Sequence, residues 1–169
     1  MTHTDWAAWH DAYTESGSPL ADRLAAVRAL LVEQDAGLAA RARALAETVG
    51  DAVIEVRRDD AARGDVYAGW VPADLVLLCG IFGNVSDADV RATVAATPQL
   101  CAPGAQLVWT RHRRDPDLTP AIRSGFESAG FEEVVFLSPG PDDWSVGVHR
   151  LVGAQRRVET SFRRRACGG

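Results

Sequence analysis

The residues of this chain best placed to do chemistry sit in one short stretch. Cys79-Gly80-Ile81-Phe82-Gly83-Asn84 follows a continuous apolar run at 75–79 and precedes Ser86 and Asp89, a pair spaced to cap a helix. Glycines at 80 and 83 permit a positive φ or a close backbone approach to a ligand. Ligands of open parallel sheets sit beyond the carboxyl ends of the strands, which is where 79–85 would lie. Asn84 and His112 each follow a strand end and are candidates to orient a substrate. Arg111, His112, Arg113 and Arg114 form a basic cluster that suits either an anionic substrate or a solvated loop. Trp6, Trp9, His10 and Tyr13 recur at helical spacing. Aromatic faces stabilise a cation, and His10 or Tyr13 could polarise an acceptor; the bland alternative is a stripe that docks an amphipathic helix.

These side chains need elements to hold them. Thr4 and the Ser18-Pro19 pair are start signals for two helices, the second carrying Leu20, Leu24, Val27 and Leu31. Periodicity alone lets that stripe continue through Leu38, Ala42, Leu45 and Val49 as one long helix, which the cost of Gly37, about 1 kcal/mol, does not exclude; a break near 34–37 is the preferred reading. The segment 52–57 reads as a strand, and 75–79 as a strand covered on both faces. Val90, Val94 and Leu100 serve the next helix. Ala102-Pro103-Gly104 then turns the chain into a strand at 106–110. Thr119-Pro120 opens a helix with Ile122 and Phe126 that Gly130 ends. The runs 132–137 and 144–151 are close enough for an antiparallel hairpin. Strands alternating with helices predict a mostly parallel α/β sheet, with 75–79 central.

Composition narrows the function. At 169 residues, 47% hydrophobic and 24% charged, the chain suits one globular domain over 1–151, with a helical cap at about 4–31 and a polar, arginine-rich tail at 152–169. All eighteen Lys+Arg residues are arginine, which removes lysine Schiff-base chemistry and standard P-loops. The net charge of -5 points to no nucleic-acid partner. No apolar run is long enough to cross a membrane. Cys79, Cys101 and Cys167 have no metal or redox spacing, so no metal is expected, and the odd count favours a reducing cytoplasm.

The stretch 73–111 resembles the second half of the class I S-adenosylmethionine-dependent methyltransferases. CGIFGN is similar to the turn after their fourth strand, and LCAPGAQLVWTR to the lead into their fifth. The Trp6, Trp9, His10, Tyr13 pattern resembles an uncharacterised bacterial group of these enzymes, and similarity runs from Trp6 to about Leu151. The resemblance implies a Rossmann-like, three-layer fold with a C-terminal antiparallel hairpin. It also implies S-adenosylmethionine as cofactor and a small-molecule methyl acceptor. By resemblance Leu31-Val32-Glu33 ends the second strand, 36–49 is the helix that follows, and Glu33 is the acid that accepts the ribose hydroxyls, a task for an acceptor-only group. Asp60 with Ala61 faces the adenine, although Asp59 stands where relatives commonly have glycine. The backbone of Cys79, Gly80, Ile81 and Phe82 lies beside the methionine portion. No universal catalytic residue is implied, so His10, Tyr13 and Asn84 are the candidates.

The chain departs from that family at one place. No G-x-G precedes Glu33, and the helix at 21–31 runs directly into LVEQD. A strand, glycine loop and helix, about 30 residues or the size of one βαβ unit, are missing between Leu30 and Val32. That strand is central in the family sheet. Its loss predicts impaired cofactor binding, unpaired strand edges and self-association. It also raises the alternative of a non-catalytic interaction or structural module.

Overall fold

In the computed structural model, residues 27–49, 53–140 and 143–153 are described, and contacts divide the chain into two units, Met1–Ala61 and Ala62–Gly169. The expected domain at 1–151 spans both. His10, Tyr13 and the tryptophans near them lie outside the described residues, as do residues 154–169 of the expected tail.

In the first unit, β1 (Arg28–Glu33) pairs in parallel with β2 (Val53–Arg58), and α1 (Ala36–Ala46) connects them. Asp35 stops the strand and starts the helix: its carboxylate accepts the Leu38 N–H at 2.8 Å. The break near 34–37 is therefore real, and one continuous helix is excluded. The helical cap was expected to reach residue 31, but residues 28–31 are strand, and Leu31 belongs to β1 rather than to a helical stripe. A β-branched and leucine-rich run beside a parallel partner overrides its 3.6-residue spacing. The junction expected between Leu30 and Val32 falls inside β1, which pairs with β2 over all six residues without a register shift.

The second unit is built on a four-stranded sheet. β3 (Ala73–Leu78), β4 (Cys101–His112), β5 (Phe131–Leu137) and β6 (Trp144–Leu151) stand in the order β3-β4-β6-β5. β3 and β4 are parallel, whereas β4–β6 and β5–β6 are antiparallel, so the terminal hairpin forms as expected. Two helices, α2 (Asp87–Ala96) and α3 (Thr119–Ser128), bury Val90, Val94, Ile122 and Phe126. Ser86 caps α2 by accepting the Asp89 N–H at 3.2 Å. Asp117 accepts both the N–H and the hydroxyl of Thr119 at the start of α3. Gly130, at φ +94°, ends the helix in the left-handed region that glycine favours.

Two expectations for β3 are corrected. It is an edge strand of its sheet among the described residues, not a central one. Nor is it covered on both faces: Val76 and Leu78 are buried, while Leu75 and Leu77 are 54% and 60% exposed. An apolar run does not reveal which face a helix covers. The Ala102-Pro103-Gly104 turn is also corrected. It lies within β4 as a bulge, because Ala73 pairs with Cys101 and Leu75 with Gln106.

The covered face centres on Trp109, which is fully buried among Phe82, Phe126 and Phe136. Gly147 lies opposite it on β6, and a Cβ there would fall under 3.0 Å from three ring atoms. The indole N–H donates to Nδ1 of buried His149 at 3.2 Å. That bond puts the neutral ring's proton on Nε2, which lies 3.8 Å from Glu133 Oε2. Arg123 grips Glu133 through two hydrogen bonds of 2.6 and 2.7 Å, and its hydrogen bonds hold the Glu133 carboxyl below the usual range.

Burial lowers the pKa of His149 below 6.5; the carboxylate of Glu133 opposes that shift and the nearby Arg123 adds to it. Protonation would also set an Nδ1–H against the indole N–H. The fold therefore binds fewer protons than the unfolded chain below pH 6.5, so stability is full above that value and falls as pH drops through it. Urea unfolding from pH 7.5 down to 5.5 (spanning the ordinary histidine range near 6.5) should show a falling midpoint. A midpoint that holds constant across that range contradicts the assignment.

Candidate functional site

Each parallel pair ends at candidate ligand contacts. At the carboxyl end of β1, Glu33 is half-buried and its Oε1 accepts the Asp35 N–H at 2.8 Å. Glu33 is in register with Arg58 of β2, and its carbonyl accepts the Asp59 N–H at 3.2 Å. Asp60 and Ala61 follow at once, both half-buried, with the Asp60 N–H donating to the Asp59 carboxylate at 2.7 Å. Parallel pairing therefore brings the two acidic candidates, 27 residues apart in sequence, to the same end of one sheet.

In the second unit the 79–84 turn leaves the carboxyl end of β3 and is held at three points. Gly80, at φ +73°, donates its N–H to Thr110 Oγ1 at 3.0 Å. Its carbonyl accepts the Asn84 side-chain amide at 2.6 Å. The Phe82 carbonyl accepts from Nη1 of Arg111. Nothing lies within 4 Å of the position a Cβ would take at Gly80, so the glycine answers a conformational demand and leaves open space beside the turn. Cys79 is exposed, and Ile81 is half-buried. The Phe82 side chain is fully buried against Trp109 and Phe126, so this residue offers a ligand its backbone only. Asn84 uses its amide to clamp the turn. Burial pushes the Cys101 thiol up to about 12, and an inert thiol is no nucleophile.

Sequence reading missed Thr110, and the burial of Arg111 removes it from the solvated-loop alternative. A signal existed. Leu107, Trp109 and Arg111 share strand parity, and all three are buried. Ser145, opposite Arg111 on β6, donates its hydroxyl to the Arg111 carbonyl at 2.8 Å and extends the network. No cluster of three or more metal-ligating side chains occurs among the described residues, and no helix among them is long and apolar enough to cross a membrane.

Comparison with known proteins supplies a fold. No protein-family profile and no curated protein sequence matches the chain. Solved structures do. An O-methyltransferase family protein from Burkholderia thailandensis matches at TM-score 0.55 and 16% identity, over 85% of this chain and 58% of that one. A protein from Bordetella parapertussis, described as a possible exported protein, matches at TM-score 0.53 and 19% identity, over 72% of this chain and 52% of that one. The N-methyltransferase NodS from Bradyrhizobium japonicum, solved with S-adenosyl-L-homocysteine, matches at TM-score 0.52 and 12% identity, over 86% of this chain and 97% of its own. The chain thus spans a little over half the length of the first two. Its fold is the Rossmann-like fold of class I methyltransferases, in an incomplete form, with an antiparallel C-terminal hairpin.

The three-point clamp can be tested one bond at a time. Thr110→Val removes the acceptor of the Gly80 N–H at nearly constant volume, at a cost of about 1–2 kcal/mol. Hydrogen exchange at the Gly80 amide should then speed up roughly 5- to 30-fold, while amides of β5 and β6 stay protected. An unchanged Gly80 rate contradicts the clamp.

Proposed function

We propose that this chain is an S-adenosylmethionine-dependent methyltransferase domain that acts on a small-molecule acceptor. The observation that carries the reading is positional. Glu33 and Asp60 end one parallel pair, and the open 79–84 turn ends a strand of the other, in a fold shared with methyltransferases. The residues present fit the cofactor at those places: acceptor-only carboxylates for hydroxyl and amino groups, and an exposed glycine backbone with open space beside it.

When bound, the cofactor supplies a methyl group already activated by its sulfonium. The protein's contribution is alignment, which can account for a large share of a barrier without any covalent role for a side chain. Glu33 would orient the ribose, with the Asp35 N–H holding its carboxylate at the strand end. Asp60 and Ala61 would bound the adenine. Gly80 and Ile81 would present backbone to the methionine portion, braced by Thr110 and Asn84. His10 and Tyr13 remain candidates on the acceptor side.

The absent glycine loop sets the expected affinity. Calorimetry with S-adenosylmethionine should give a dissociation constant of about 0.1–1 mM, or roughly −4 to −5.5 kcal/mol. Glu33→Ala should weaken it about tenfold, the equivalent of about 1.4 kcal/mol. A micromolar constant would mean the remaining turns suffice. No binding at millimolar concentration would sink the cofactor reading.

One observation favours a second reading, a non-catalytic module that associates with itself. The outer edge of β3 pairs with no strand among the described residues, and Leu75 and Leu77 beside it are largely exposed. Unpaired edges recruit other chains. Light scattering on the calorimetry sample tests this reading: a dimer or larger species that binds no S-adenosylmethionine supports it, and a monomer at every concentration speaks against it.

A further inference from the structure

Outside the candidate site, one buried group faces two partners and is bonded to one of them. His149 of β6 is 1% exposed and stands opposite Leu107 of β4 and Glu133 of β5. Its Nδ1 accepts the Trp109 indole N–H, while Nε2 is buried without a hydrogen-bond partner, 3.8 Å from Glu133 Oε2. Among the described residues the charged groups facing the ring are Glu133 and, from α3, Arg123; β4 presents Leu107 and Trp109 there. Phe126 of α3 closes over it, the two ring centroids 4.9 Å apart. Arg123 grips Glu133 with both hydrogen bonds and lies 4.4 Å from the Phe136 ring centroid. The carboxylate is thus tied down, and the imidazole is the group free to turn.

The neutral ring serves Trp109 because its Nδ1 carries a lone pair. A proton added at Nδ1 removes that acceptor and sets two N–H groups against each other. The imidazolium is then a donor on both sides, and the nearest acceptor is the Glu133 carboxylate, which Arg123 keeps ionised. Burial resists the proton, Glu133 favours it and Arg123 opposes it, so the exchange of partners falls below the ordinary histidine value of 6.5. Trp109 packs in turn on Phe82 of the 79–84 turn, with centroids 6.1 Å apart. A close-packed core transmits such a displacement rather than absorbing it. We propose that His149 is a proton-operated switch on the 79–84 turn: neutral, it holds Trp109 against Phe82, and protonated, it turns to Glu133 and releases both. Resting on the methyltransferase reading, acid thereby weakens cofactor binding at that turn.

The test uses the full chain labelled with nitrogen-15, followed by NMR between about pH 7.5 and 5. The His149 ring, the Trp109 indole N–H and the amides of residues 80–83 should shift with one shared midpoint below 6.5. His149→Gln keeps a carbonyl acceptor for the indole but takes up no proton, so it should abolish the shifts of the indole and the turn. His112 is the competing source, since its Cδ2 lies 3.5 Å from the position of a Cβ at Gly83, and His112→Gln should leave those shifts in place. If His149→Gln does not fold, the agreement of midpoints in the unaltered protein decides. Turn shifts that vanish with His112→Gln, or a His149 ring that stays neutral to the acid end of the range, overturn the switch. S-adenosylmethionine is titrated at both ends of the range. Its affinity should fall about fivefold at the acid end, as the competent fraction shrinks, and should not fall in His149→Gln. Equal affinity at the two ends overturns the control of binding. No binding at either end, with the turn still following His149, sinks the proposed function and leaves the switch standing.

Discussion

The second unit depends on one steric condition: the Trp109 indole needs Gly147 beneath it. Any Cβ at 147 would penetrate the ring, so the largest buried side chain and the smallest residue are locked together across the β4–β6 pair. Burying an aromatic of this size is worth about 3–5 kcal/mol by truncation, a large part of a domain's net stability. Phe82, Phe126 and Phe136 pack around that ring, and His149 satisfies its only donor. Phe82 belongs to the turn after β3 and Phe126 to α3. The same packing therefore fixes the sheet, one covering helix and the start of the candidate site.

That coupling explains how a turn with two glycines holds its shape. Phe82 anchors it through the core, while Thr110, Arg111 and Asn84 take its backbone groups one by one. Two of these partners, Thr110 and Arg111, sit at the end of β4, the neighbouring parallel strand. The backbone of Gly80 is left exposed, held but not covered.

Local signals made much of the fold legible in the sequence. Ser86 with Asp89, Thr119-Pro120, Gly130 and the spacing of Ile122 from Phe126 each act within one turn of chain, and each sits where expected. Readings failed where distant partners decide. Leu31 has helical spacing but a parallel partner in β2, so periodicity failed there where the family resemblance, which ends a strand at 31–33, did not. Pro103-Gly104 carries a turn signature but bulges out of a strand paired on either side of it. Leu75 and Leu77 are as apolar as Val76 and Leu78, yet only the latter pair meets a covering element. Within the candidate site, the glycine turn could be read because glycine is a local signal. The clamp on it could not, because Thr110 and Arg111 lie 30 and 29 residues from the groups they hold.

β1 runs unbroken through the point where the family resemblance leads one to expect a further strand, loop and helix, and β3 keeps an edge without a described partner. The proposed function rests on ligand contacts at the carboxyl ends of the parallel pairs. Amide chemical-shift mapping with S-adenosyl-L-homocysteine tests it most directly. The account predicts that shifts appear at Glu33, Asp60 and Ala61 and at Cys79 to Phe82. Shifts at neither set, or scattered over α2 and β5, would contradict it.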